Sequence, residues 1–267
     1  HDTVRRQRQM CIRDSGCGVL LVLSLTGCQE TGEPEVSELA VFKDRGRTWT
    51  YEDLSIHGWT IYLEESIAAD QKLKARTKEQ ITIGLENFLG KVPEGALAFL
   101  QTIPIWVSNE PTYPLREKEY GVVPFHRSPQ WLRDHGLNPH MAPGVHVINP
   151  EAVFFRHKLL DWGPMTFLHE LAHAYQNVRL SLKHEVILSA YEAAMEAGLY
   201  LEVPDRKDKS LMVKAYAATN QEEYFAELTE AYFGQNDWFP HNREELRNYD
   251  PRGFRMIEEV WSAEAFQ

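Results

Sequence analysis

His169, Glu170 and His173 stand in the run Thr166-Phe-Leu-His-Glu-Leu-Ala-His-Ala-Tyr-Gln-Asn177, two histidines four apart with a glutamate beside the first. On an α-helix, at about 100° per residue, such histidines differ by about 40° and lie one turn apart on the same face. Two neutral imidazoles so placed can hold one Zn²⁺ ion, and a catalytic zinc site takes three protein ligands while keeping a fourth position for water. Glu170 is then placed to accept that water's proton and pass it to a leaving amine, which is the metalloprotease reading of His-Glu-x-x-His. Five residues with two free positions also arise by chance. Phe167, Leu168, Leu171, Ala172 and Tyr175 would bury one side of such a helix with no chemistry attached.

A zinc ion held by two histidines needs a third protein ligand. The metzincin pattern, with glycine three residues and histidine six residues after the second histidine, is excluded because Gln176 and Arg179 occupy those positions. Cys11, Cys17 and Cys28 all fall within the first 28 residues, so the body of the chain has no thiolate to offer. Carboxylates remain: Glu185, Glu192, Glu196, Glu222, Glu223, Glu227 and Glu230. Within Asn220-Gln-Glu-Glu-Tyr-Phe-Ala-Glu-Leu-Thr-Glu-Ala-Tyr-Phe233, Glu223, Glu227 and Glu230 share one helical face opposite Phe225, Leu228 and Tyr232. One of them on the metal and another a turn later, holding a ligand histidine by its other N–H, would complete a site. The same spacing also describes the solvated face of an amphipathic helix.

His169-Glu-Leu-Ala-His173 followed by Tyr216 and, seven residues on, Glu223-Tyr-Phe-Ala-Glu227 resembles the catalytic domain of the anthrax lethal factor-like metallopeptidases, zincins with a glutamate as third ligand. The likeness covers roughly residues 144 to 240. It implies His169, His173 and Glu223 as zinc ligands, Glu170 as general base, Tyr216 as the hydroxyl that steadies the oxyanion, and Glu227 as the carboxylate supporting a ligand histidine. It also implies a secreted or envelope-attached bacterial protein.

The elements that must position these residues follow from periodicity and from cap residues. Strands are predicted over 57–63, 103–107 and 144–149, and helices over 67–89, 93–100, 185–199, 220–233 and 251–261. Asn220 is the expected N-cap of its helix and Gly234 its stop, and Pro164 is expected to open the motif helix. Residues 108 to 143 read as loops around a turn at 129–134, the place for substrate specificity, with His126, His135 and His140 as loop histidines suited to hydrogen bonding. The polar stretch 203–209 reads as a hairpin or loop. The fold expected is α+β: one zincin-like metallopeptidase domain over 38–267, mostly helical, with a small sheet preceding the His-Glu-x-x-His helix and the strand 144–149 as an edge for extended substrate.

Composition narrows the partners. With 28 Lys+Arg against 39 Asp+Glu in 267 residues, and no clustered basic stretch in the body, nucleic acid is excluded as a partner. An apolar run from Gly18 to Gly27 behind an arginine-rich start has the length of a signal-peptide core and is too short to span a bilayer. Its end, Leu25-Thr-Gly-Cys28, resembles the bacterial lipobox, which implies a lipid-anchored N-terminus at Cys28; the alternative is an ordinary secretory leader. The organisation expected is a leader over 1–27, of which the first 15 residues read as non-native translated sequence, then a tether over 28–37 and the domain. The function expected is a zinc metalloendopeptidase, monomeric, acting on peptide or protein. Two other readings stand beside it: an envelope-tethered zinc hydrolase for one dedicated or cell-wall peptide, and an inactive lipid-anchored binding protein.

Overall fold

Two tight turns organise the first part of the chain. In a computed structural model that describes residues 39–109, 123–156, 163–262 and 265, strands β1 (Leu39–Asp44), β2 (Arg47–Ile56) and β3 (Trp59–Glu64) form an antiparallel meander. Its turns are Arg45-Gly46 (φ 47° and 81°) and His57-Gly58 (φ 49° and 86°). Both central residues at positive φ match the twist of flanking strands, and glycine takes the second place at no steric cost. Periodicity located only β3. The leader, the tether, all three cysteines and residues 110–122 lie outside the described residues.

The helix expected over 67–89 is two helices, α1 (Glu65–Ala69) and α2 (Gln71–Glu86). Asp70 separates them because its carboxylate accepts the backbone N–H groups of Lys72 and Leu73, both at 3.0 Å, and so starts α2 afresh. Helix α3 (Glu94–Leu100) follows Pro93.

The sheet then grows with β4 (Ile105–Ser108), β5 (Phe125–His126) and β6 (Gly144–Ile148), in the order β1-β2-β3-β4-β6-β5. Strands β3, β4 and β6 run parallel, while β5 is antiparallel to β6. Among the described residues six strands precede the motif helix, so the sheet is not small. Strand β6 is not the edge expected of it: Val145 pairs with Ile105 on one side and with Phe125 on the other. Pro104 sits just before β4, outside the ladder that its missing N–H would break.

Alternation along the strands separates two cores. Trp59, Ile61, Leu63, Ile105, Val107, Val145 and Val147 join the main core under the helices. Tyr51 and Trp106 face the other way, where Tyr62 stacks on Trp106 at 4.2 Å and Leu132, Leu137 and Met141 close over them. Leu132 belongs to α4 (Pro129–Asp134), capped by Ser128.

The motif helix α5 (Thr166–Ala174) continues as a π-helical turn over Tyr175–Leu180. Pro164 lies in the turn before it rather than in its first position, and its carbonyl accepts the Asn87 side-chain amide at 2.6 Å. After α6 (Glu185–Glu196) comes a hairpin of β7 (Val203–Pro204) and β8 (Met212–Val213), then α7 (Gln221–Phe233), α8 (Arg243–Tyr249) and α9 (Pro251–Val260). Helix α8, capped by Asn242, is a further element that periodicity did not reveal. The described residues from 39 on form one compact unit mixing helix and sheet, with α5 packed on β5, β6 and α7. No helix among the described residues is long and apolar enough to cross a membrane.

Candidate metal centre

Helix α7 brings its glutamates to α5 by a fixed start. Asn220 accepts the N–H groups of Glu222 and Glu223 at 2.8 and 2.9 Å, which places Glu223 one turn into the helix. From there its carboxylate meets the two motif histidines. His169 Nε2 and His173 Nε2 are 3.1 Å apart, and Glu223 Oε2 lies 3.2 Å from each.

Hydrogen bonds alone do not account for this triangle. The carboxylate carries no hydrogen, so each of its two contacts needs an N–H from the histidine. If both nitrogens carry one, the edge between them sets donor against donor; if either does not, one edge sets acceptor against acceptor. A cation at the centre satisfies all three edges at once. For tetrahedral zinc at 2.0–2.1 Å the ligand atoms should be about 3.3–3.4 Å apart, close to what is observed. The residues present therefore fit a zinc ion, with His169, His173 and Glu223 as its ligands.

The support for His169 departs from expectation. Its Nδ1 lies 2.7 Å from Glu230 Oε1 and 3.6 Å from Glu227 Oε1, so the carboxylate that accepts from it is Glu230, while Glu227 stands next in line. On a helix Glu230 is seven residues, about 700°, from Glu223 and Glu227 four residues, about 400°; both share its face, and only the crossing of α5 selects between them. Neither belongs to a solvated face: Glu227 is 3% and Glu230 2% exposed. Replacing Glu230 by Gln is expected to weaken zinc binding by about 10- to 100-fold, as loss of such a partner does elsewhere. Glu227→Gln should weaken it less, measured for both by competition with a chromophoric chelator.

Glu170 and Tyr216 complete the cleft. One Glu170 oxygen accepts the backbone N–H of Phe125 at 2.7 Å, which ties the proposed base to strand β5, a contact that no sequence signal announces. Tyr216 sits in a 3-10 turn (Tyr216–Ala218) just ahead of α7, with its ring stacked 6.3 Å from that of His169. A cleft of about 270 Å³ joins these groups to Arg127 and Glu222, themselves an ion pair.

Protonation follows from crowding. Burial works against charge on His169, but its hydrogen bonds to Glu223 and Glu230 outweigh that and raise its pKa well above the ordinary value. Burial likewise opposes charge on Glu223, and the two histidines overcome it, holding the carboxyl far below the usual range. Burial raises Glu170, against the pull of His169 and His173. Tyr216 is raised by burial and then by Glu223, so the phenol keeps its proton. Burial raises both Glu227 and Glu230, and for Glu227 the neighbouring Glu230 charge adds to it.

The three histidines expected in loops go to hydrogen bonds, although His126 lies buried in β5 rather than in a loop. His135 Nδ1 is 2.7 Å from the Trp131 carbonyl and His140 Nε2 3.3 Å from that of Lys43. His126, pushed down to about 4 by burial, lies 3.1 Å from His146, which in turn meets Ser108 at 2.7 Å. Among the described residues the groupings able to hold a metal are His169 with His173 and Glu223, and His169 with Glu227 and Glu230. Compared with known proteins, the chain matches no family model, no curated protein and no solved structure.

Proposed function

We propose that this chain is a zinc-dependent metallopeptidase of the lethal factor-like kind, hydrolysing peptide bonds in the cleft between β5, α5 and α7. The triangle of His169, His173 and Glu223, whose three edges no arrangement of protons satisfies, carries the proposal. The resemblance of Tyr216 and Glu223-Tyr-Phe-Ala-Glu227 to that family supports it.

His169, His173 and Glu223 would hold the zinc ion, which would supply a Lewis acid toward a carbonyl and toward water near neutral pH. Glu170 takes the water's proton on the oxygen that Phe125 does not occupy and hands it to the departing amine. Tyr216, kept protonated by burial and by Glu223, donates its hydroxyl hydrogen to the oxygen on which negative charge develops. Glu230 fixes the His169 ring by accepting its Nδ1–H. Extended substrate would lie along β5, whose Phe125 borders the cleft, rather than along the interior β6. Export and a lipid anchor at Cys28 belong to the same proposal and rest on the leader alone.

Incubating the zinc-loaded chain with a peptide library and reading new termini by mass spectrometry tests the function. Cleavage that stops when a chelator removes the metal is expected; an uncleaved library with zinc bound would overturn the proposal.

A further inference from the structure

Two buried histidines take no part in the chemistry proposed above. His146 on β6 is 0% and His126 on β5 is 5% exposed, and with Ser108 on β4, at 1%, they form a chain across three strands. His126 Nε2 lies 3.1 Å from His146 Nδ1, and His146 Nε2 lies 2.7 Å from Ser108 Oγ. At such burial none of the three can meet a substrate, and none belongs to either grouping able to hold a metal.

Unlike the metal triangle, this chain is satisfied by protons alone. Burial pushes both rings below their ordinary range, His126 to about 4, so near neutral pH each carries one N–H and one bare nitrogen. One ring donates to the other, and the Ser108 hydroxyl donates to or accepts from the far nitrogen of His146 as that order requires. Apolar side chains could fill the same space without the cost of desolvating polar groups, so stability alone does not call for such a chain. A satisfied hydrogen-bond network adds something that apolar contacts lack, which is a single alignment of the strands that carry it.

Strand β5 needs that alignment. It consists of Phe125 and His126, opposite Val145 and Gly144. The His146 N–H donates to the Pro124 carbonyl at 2.9 Å, so Pro124 and His126 turn their backbone groups toward β6, and Phe125 between them turns its N–H away. That outward N–H is the one that donates to Glu170 at 2.7 Å. A slip of one residue would turn it into the ladder and carry the His126 ring to the opposite face of the sheet. The contact with His146 and the donor to Glu170 would be lost together.

We infer that His126 is a positioning residue: its chain to His146 and Ser108 fixes the register of β5 and so aims the Phe125 N–H at the Glu170 carboxylate. Holding one oxygen of Glu170 leaves the other in a defined place for the water's proton. The inference rests on the peptidase reading for what Glu170 does, and on the geometry of β5 for how Glu170 is held.

Two readouts keep those apart. Exchange of the Phe125 amide, in protein carrying ¹⁵N-labelled phenylalanine, is followed in zinc-loaded parent, His126→Phe and His126→Gln, and kcat and KM are measured for each on a library peptide that the parent cleaves. Phenylalanine keeps a ring beside Trp131 and loses the hydrogen bond to His146, whereas glutamine returns an amide near the Nε2 position. His126→Phe should speed Phe125 exchange about tenfold or more, the loss expected for a hydrogen bond to a charged group. It should lower kcat by about 10- to 100-fold, the scale of a misplaced catalytic group, with KM and zinc content within about twofold of the parent. His126→Gln should recover most of both losses. Unchanged exchange in His126→Phe, a fall in kcat that glutamine does not recover, or an effect confined to KM overturns the inference. If His126→Phe does not fold, Ser108→Ala, which removes one hydroxyl from the other end of the chain, takes its place, and unchanged exchange there overturns it equally. Exchange that follows His126 in a protein that cleaves no peptide upholds the positioning of Glu170 and overturns the peptidase reading alone.

Discussion

Glu170→Gln protein is expected to carry one zinc ion per chain and to cleave peptides about 10²- to 10⁴-fold more slowly than the parent, the usual cost of losing a general base. The substitution keeps the shape of the side chain and keeps an oxygen for the Phe125 N–H, so β5 and α5 should stay in place. What it removes is the ability to take a proton. Burial raises the Glu170 pKa, which strengthens it as a base, while His169 and His173 keep part of it ionised. Zinc content measured beside turnover separates loss of the base from loss of the site. Full turnover with zinc retained would show that the proton goes elsewhere.

The other large effect is expected on the metal itself. His169→Ala, His173→Ala and Glu223→Ala should each lose zinc on dialysis, because each leaves two protein ligands where a catalytic zinc site has three. The loss should exceed the about 10- to 100-fold of an outer partner such as Glu230. Glu192→Ala and Glu196→Ala, exposed on α6, should keep the parent's zinc content. If Glu223→Ala keeps it and one of these does not, the third ligand has been misplaced.

Acid should release the ion with a definite sign. The metal-free pKa of His169 is raised, so below that pKa a proton must leave its Nε2 before zinc enters. Apparent zinc affinity then rises with pH by up to about tenfold per unit for one displaced proton and levels off above the His169 pKa. Chelator competition over a pH series would show this. A flat profile would mean that His169 is not a ligand.

The glutamates of α7 mark where reading along the chain stops. Their spacing put Glu223, Glu227 and Glu230 on one face, and Asn220 announced where that helix begins, because capping and the 3.6-residue period are properties of neighbouring residues. Whether the face was wet or buried, and which glutamate meets His169, depended on how α7 crosses α5, elements some 50 residues apart in sequence. That crossing set Glu230 at 2.7 Å and Glu227 at 3.6 Å.

The sheet divides in the same way. Strand β6 was legible as a short apolar run, but its interior place comes from β4 and β5 pairing on either side, which no local pattern encodes. Strands β1 and β2 carry their turn chemistry at Arg45-Gly46 and His57-Gly58, so the signal was present though it was not read. From its sequence alone this chain declared two histidines and a glutamate on one helix, a set of carboxylates on another, and a body without thiolates. Only the tertiary structure decided that Glu223 stands 3.2 Å from both histidines and that Glu230 rather than Glu227 stands behind His169, because those outcomes follow from packing between distant segments rather than from the residues within any one of them.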